Sequence, residues 1–148
     1  MDKYEQWMKI AIQQANLAKE LGEVPVGAVI IKNDIIISKG HNEPISKNDP
    51  TAHAEIQAIR SAGKILKNYR ITGSSIFVTL EPCIMCFGAI LNARVEKIFF
   101  GAYDEKKGIC SSCNNYLNKE SYKNSLKIRG GILENQCSMI LKKFFKER

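Results

Sequence analysis

Apolar positions near the start of the chain recur every three or four residues: Tyr4, Trp7, Met8, Ala11, Ala15 and Ala18, with Lys3, Lys9, Gln13 and Lys19 elsewhere on the surface. This period predicts a helix over residues 3–21, stopped by Gly22. Trp7 lies in the stripe and reads as core rather than as a platform for a stacked base. The pattern then changes. Val26-Gly27-Ala28-Val29-Ile30-Ile31 is an unbroken, largely β-branched run, the mark of a buried strand. Lys32-Asn33-Asp34 is turn chemistry, and Ile35-Ile36-Ile37-Ser38 returns as the second strand of a hairpin. Gly27 lets something approach the first strand closely, a helix or a substrate.

A polar loop runs from Gly40-His41-Asn42-Glu43-Pro44 to Lys47-Asn48-Asp49-Pro50. Asp49 suits an N-cap and Pro50 the first helical position, so a second helix is predicted over Thr51–Ala62, with Ile56, Ile59 and Ala62 facing inward. Ser75–Leu80 reads as a third strand, ended by Glu81-Pro82, and Pro82 opens a helix carrying Cys83 and Cys86. Val95–Gly101 is a fourth strand with the period of a sheet edge or a half-buried position. Residues 102–124 predict a long polar loop, functional or disordered. Leu126–Ile128 predicts a short fifth strand ended by Gly130-Gly131, and residues 134–147 a last helix. With no internal repeat and no linker-like shift in composition, residues 1–148 are expected to form one domain. Strands alternating with helices predict a three-layer α/β fold around a mixed sheet.

Composition narrows the partners. The chain has 148 residues, enough to bury a core without staples, and no apolar run long enough for a membrane helix. Its N-terminus is charged and then amphipathic, unlike a signal peptide. Five cysteines is an odd number. Without a secretion signal, metal-bound or free thiols in a reducing cytoplasm are expected, not a disulfide framework. The net charge of +7 favours polyanionic partners, nucleic acid first.

The chemistry concentrates in His53-Ala54-Glu55 and Glu81-Pro82-Cys83-Ile84-Met85-Cys86. One imidazole and two thiolates suit a zinc ion with a fourth position left for water, and such a water ionises near neutral pH. Residues two apart on a helix do not share a face, so His53 and Glu55 can converge only at a helix mouth. The three-residue spacing of Cys83 and Cys86 puts both sulfurs on one side of a first turn, where the helix N-terminus favours thiolates. Cys110 and Cys113 form a second Cys-x-x-Cys pair, with 23 residues between the two pairs, so a closed Cys₄ zinc site is a rival. The upstream His53 and Glu55 and the helix-opening Pro82 favour the open His-Cys-Cys set, with Glu55 moving protons. Cys110 and Cys113 then read as free thiols or at most a facultative pair, and Cys137 as a small core residue.

His-x-Glu followed by Pro-Cys-x-x-Cys is the known signature of zinc-dependent nucleobase deaminases. Over most of its length the chain resembles the bacterial tRNA-specific adenosine deaminases. The matching stretches include Glu23–Val29, Asn42 with Pro44-Ile45, Asp49–Ile56, Asn68-Tyr69-Arg70, Thr79–Cys83 with Met85-Cys86, and Phe100-Gly101-Ala102 with Asp104 and Gly108. The zinc motif is shared with cytidine and guanine deaminases; Thr79-Leu80-Glu81 and Phe100-Gly101-Ala102 point to the tRNA branch. Ile109-Cys110-Ser111-Ser112-Cys113 departs from the Gly-Ser common after the Gly108 position.

The resemblance implies a cytidine-deaminase-like fold with a five-stranded sheet, a Zn2+ cofactor, a homodimer, and conversion of the wobble adenosine (position 34) of a tRNA anticodon to inosine. It implies base-edge contacts from Asn42 and the backbone of Ala54, and a contact of Asp104 near the flipped nucleotide. Val26 and Pro82 join them as candidate substrate-binding residues. In the family the last helix lies by the anticodon loop, which makes Phe144, Phe145, Lys146 and Arg148 candidate contacts to the tRNA stem-loop. Packing and the helix dipole are the alternative account of that basic, aromatic end.

Overall fold

The computed structural model describes residues 2–110 and 126–148. Helix α1, Lys3–Glu20, is capped by Asp2, whose carboxylate accepts the Glu5 amide at 2.8 Å. Its buried stripe is Met8, Ala11, Ala15 and Ala18. The helix ends at Leu21, with Gly22 at φ +79°. Strands β1, Gly27–Lys32, and β2, Ile35–His41, form the expected hairpin. Its two-residue turn places Asn33 and Asp34 at φ 53° and 59°, the backbone sense that matches the twist of paired strands.

Strands β3 (Ser74–Leu80), β4 (Lys97–Ala102) and β5 (Lys127–Arg129) complete one sheet of order β2-β1-β3-β4-β5. β1 is antiparallel to β2 and β3, whereas β3, β4 and β5 run parallel. Side chains alternate between two cores. Ala28, Ile30, Ile76, Val78, Ile98 and Phe100 join Ala54, Ala58, Phe87 and Ile90 on one face. Val29, Ile31, Phe77 and Phe99 join Met8, Ala11 and Cys137 on the other. The fold is therefore α/β, a mixed five-stranded sheet between two helical layers.

Here β4 departs from expectation. It is an inner strand, buried from Ile98 to Ala102, not an edge or a half-buried one. Its polar start at Glu96-Lys97 suggested alternation, but both of its faces are covered.

The helix boundaries around the two motifs also shift. A short helix α2, Pro44–Lys47, interrupts the predicted loop, and Asn48 ends it at φ 50°. Asp49 does not cap the next helix. Its Oδ1 accepts the Thr51 amide at 2.9 Å and the Thr51 hydroxyl at 2.7 Å, closing a separate turn. Helix α3 begins three residues later than predicted, at Ala54, and runs to Leu66 with His53 as its N-cap. Its buried residues are Ala54, Glu55, Ala58 and Ala62. Of the expected inward residues Ala62 is buried, Ile59 is half-buried and packs against the core, and Ile56 is half-buried, whereas the alanines four apart are fully buried. Helix α4, Ile84–Asn92, likewise begins after Cys83, which is its N-cap. The last helix, α5, spans Glu134–Lys146.

Two glycines set how closely helices lie on the sheet. A Cβ on Gly27 would come within 2.0 Å of the Ala11 carbonyl oxygen and 2.4 Å of the Ala15 nitrogen. The close approach at Gly27 is thus by α1, not by a substrate. A Cβ on Gly40 would meet the Ala54 oxygen at 2.3 Å and the Ala58 nitrogen at 2.6 Å. That contact seats the first turns of α3, and with them His53 and Glu55, against β2.

Candidate metal centre and active site

His53 and Cys83 play the same structural part. Each is the last extended residue before a helix, at ψ 158° and 174° respectively. Cys86 follows in the first turn of α4 and is fully buried. The His53 Nδ1 lies 3.8 Å from the Cys83 sulfur and 3.4 Å from the Cys86 sulfur. A tetrahedral zinc with bonds of about 2.3 Å to sulfur and about 2.05 Å to nitrogen needs a nitrogen–sulfur separation of about 3.6 Å. The three donors therefore stand where that ion would hold them, and their chemistry suits zinc. Among the described residues, they are the one group of three potential ligands whose donor atoms lie within 4.8 Å of one another. Cys110, the described half of the second Cys-x-x-Cys pair, is not in that group; Cys113 lies outside the described residues.

The electrostatics favour a cation. A hydrogen bond from the Cys86 thiol pulls the Cys83 pKa down to about 3; burial opposes this and His53 assists it. Cys86 is pushed up, first by the Cys83 sulfur and then by burial and the nearby Glu55. The two sulfurs thus share one negative charge until a positive ion makes the second thiolate affordable. The His53 pKa is raised, chiefly by Cys83. Glu55 is 4 % exposed, and burial lifts its carboxyl to about 7. That is the range in which a group can both accept and return a proton at neutral pH.

These groups sit at a cavity of about 980 Å³, with His53, Glu55 and Cys83 in its lining. Val24, Val26, Asn42 and Pro44 form one side, and residues 103–107 another. Helix α5 contributes Ser138, Leu141, Lys142 and Phe145. Of the residues suggested for substrate binding, Val26, Asn42, Asp104 and Phe145 line this space. Ala54 is fully buried, and its amide donates to Asn42 Oδ1 at 2.8 Å. The two suggested base-edge contacts thus meet each other. The bond fixes the Asn42 side chain with its oxygen on the helix, leaving its NH₂ as the end that can serve a ligand. Asp104 Oδ1 accepts the amides of Lys106 and Lys107, both at 3.1 Å, and so closes a turn.

Pro82, Phe144, Lys146 and Arg148 are not among the lining residues. Pro82 is buried beneath the wall, where its carbonyl accepts the Ile109 amide at 3.0 Å. Phe144 and Phe145 meet edge to face at 5.4 Å, with the Arg148 guanidinium 5.8 Å and 5.9 Å from their centres. Cys137 is a core residue as expected, with burial pushing its thiol to about 12. Cys110 is a buried free thiol whose pKa burial raises.

Sequence reasoning assigned no part to Glu23, Glu81, Tyr103, Lys106 or Lys107, whereas Lys142 opens the basic, aromatic end already weighed for nucleic acid. Glu23 is buried and accepts the Ile45 amide (3.1 Å), the Ser46 amide (2.7 Å) and the Ser46 hydroxyl (2.6 Å), pinning the start of α2 beside Asn42. The available signal for Glu23 and Glu81 was an isolated acid bordering an apolar stretch. For the others there was none, because their roles depend on which loop meets the pocket.

The layered sheet and the His-Cys-Cys set beside a buried acid define a zinc-binding deaminase, and zinc is the cofactor. Residues 1–102 match the model of the cytidine and deoxycytidylate deaminase zinc-binding region. The tRNA-specific adenosine deaminase of Buchnera aphidicola subsp. Schizaphis graminum is 48% identical over 143 residues, covering 96% of this chain and 93% of that protein. A chain solved in a study of A-to-I editing by tRNA:A34 deaminases at the wobble position of transfer RNA superposes with a TM-score of 0.84 at 36% identity, covering 92% of this chain and 99% of that one. Guanine deaminase from Bacillus subtilis is also 36% identical, with a TM-score of 0.67, covering 83% of this chain and 76% of that one. The chain belongs to the family of tRNA-specific adenosine deaminases within this zinc-binding deaminase class.

Proposed function

We propose that the protein hydrolytically deaminates adenosine to inosine at the wobble position, 34, of a tRNA anticodon. The observation that carries the reading is the convergence of the His53 nitrogen and two cysteine sulfurs beside a buried carboxyl, its pKa raised to about 7, at a cavity. The similarity to tRNA deaminases over nearly the whole chain supports adenosine in tRNA as the substrate. The net charge of +7 suits an RNA partner.

In this reading His53, Cys83 and Cys86 hold the zinc. Once bound, the ion supplies an activated water as the nucleophile. Glu55 takes the proton lost as the new C6–O bond forms and passes it to the ring nitrogen. It then takes the proton of the new C6 hydroxyl and gives it to the amine, so the C6–N bond breaks, ammonia leaves and the C6 carbonyl remains. Asn42, fixed by Ala54, offers its NH₂ to the base edge. Lys106, Lys107 and Lys142 on the rim are placed for phosphates, with Phe145 for an unstacked base. The anticodon stem-loop as the recognised part, one domain spanning residues 1–148, a homodimer, and a cytoplasmic location with reduced thiols belong to the same reading. Among the described residues no helix is long and apolar enough to cross a membrane.

Incubation with tRNA bearing adenosine at position 34 is expected to yield inosine there, read by sequencing. The similarity to guanine deaminase favours one other reading, a deaminase of free bases. Release of ammonia from guanine with no inosine in tRNA would decide for it.

A further inference from the structure

We propose that Glu81 is a positioning residue for the substrate, holding segment 103–109, of which residues 103–107 line the pocket, in its binding-competent place. This rests on reading the cavity as the substrate site.

Glu81 is 2 % exposed and stands at the end of β3, two residues before Cys83. It holds the wall at two points. Its backbone amide donates to the Ala102 carbonyl at 2.9 Å where the wall begins. Its Oε1 accepts the Asp104 amide at 3.0 Å, within the wall. The next residue, Pro82, fixes the far end by accepting the Ile109 amide at 3.0 Å. Between these anchors the segment is folded on itself. The Gly108 amide donates to the Asp104 carbonyl at 2.8 Å, and Asp104 Oδ1 holds the amides of Lys106 and Lys107.

Gly108 makes the contact close. A Cβ there would lie 2.3 Å from Glu81 Cδ and 2.4 Å from its Oε1. The residues that this arrangement presents to the cavity are Tyr103, Asp104, Glu105, Lys106 and Lys107. The wall therefore hangs on the same few residues that deliver Cys83 to the metal. Releasing the Oε1 tether frees the wall without removing a metal ligand or Glu55, so it should weaken substrate binding and spare the chemical step.

The test is steady-state kinetics with zinc analysis on Glu81→Ala, Glu81→Gln and Gly108→Ala, using tRNA bearing adenosine at position 34. Glu81→Ala should raise KM about tenfold, the worth of one lost hydrogen bond, with kcat within about threefold and zinc retained. Glu81→Gln keeps an oxygen for the Asp104 amide and should stay near the wild-type KM. Gly108→Ala attacks the contact from the other side, away from β3, and should reproduce the rise in KM. An unchanged KM in both alanine variants, or a Gln variant as impaired as Glu81→Ala, would overturn the proposal. So would loss of zinc and kcat at constant KM. If the wild type deaminates guanine and not tRNA, the functional reading fails, while the tether is still read from the ratio of KM values for guanine.

Discussion

Glu55 is expected to weaken the fold it serves, and the cost can be worked out. Its carboxyl titrates at about 7 because burial disfavours the charge, against 4.5 for an ordinary glutamate. In the folded state the proton is held more tightly than in the unfolded chain. Stability from this group is therefore complete below pH 4.5 and is lost as pH rises to about 7. At about 1.4 kcal/mol per pH unit, the gap amounts to about 3 kcal/mol at pH 8 and under about 1 kcal/mol at pH 5. Glu55→Gln removes the ionisation and keeps the shape. With zinc stripped by a chelator, the variant should outlast the wild type in urea at pH 8 by about 1.5 M in midpoint, for a slope of about 2 kcal/mol/M. The two should nearly coincide at pH 5. The zinc-loaded variant should meanwhile lose about 10²- to 10⁴-fold in kcat, the usual contribution of a positioned proton carrier. Equal midpoints at both pH values would refute the burial argument, and undiminished turnover would remove Glu55 from the mechanism.

Two further outcomes follow from the site. Cys86→Ser should leave the purified protein with well under one zinc per chain and no turnover, because a serine hydroxyl does not ionise to match a thiolate; full zinc content by metal analysis would break the ligand assignment. Glu23→Gln should destabilise the fold by about 2 kcal/mol at neutral pH, since three donors face its carboxylate. Burial acts to raise the Glu23 pKa, but the bonds from Ser46 and Ile45 outweigh it and hold it below the ordinary 4.5. Its contribution is thus present above 4.5 and fades as pH falls through the folded value, so the gap between the two melting curves should narrow in acid.

Much of this molecule can be read one residue after another. The apolar period of residues 4–18 settles α1, the β-branched run from Val26 settles β1, and Asn33-Asp34 settles the hairpin turn, because each depends on neighbours in the chain. The metal chemistry is equally local: His53, Cys83 and Cys86 are marked by residue type and spacing, and the requirement that His53 and Glu55 meet at a helix mouth is met by α3 starting at Ala54.

Contacts between distant segments decided the rest. β4 is an inner strand because β5 and two helical layers cover it, which the alternation within Val95–Gly101 does not record. Asp49 closes a turn instead of capping α3, and Asp104 spends its carboxylate on the amides of Lys106 and Lys107, because short acids bond whichever donors the folded backbone presents. The cavity itself arises where the segment before β1, the segment after β4 and the face of α5 come together around Glu55. Periodicity reports which side of an element is apolar. Only the packed chain determines what lies opposite that side, and hence that a buried acid such as Glu81 carries the wall of a pocket.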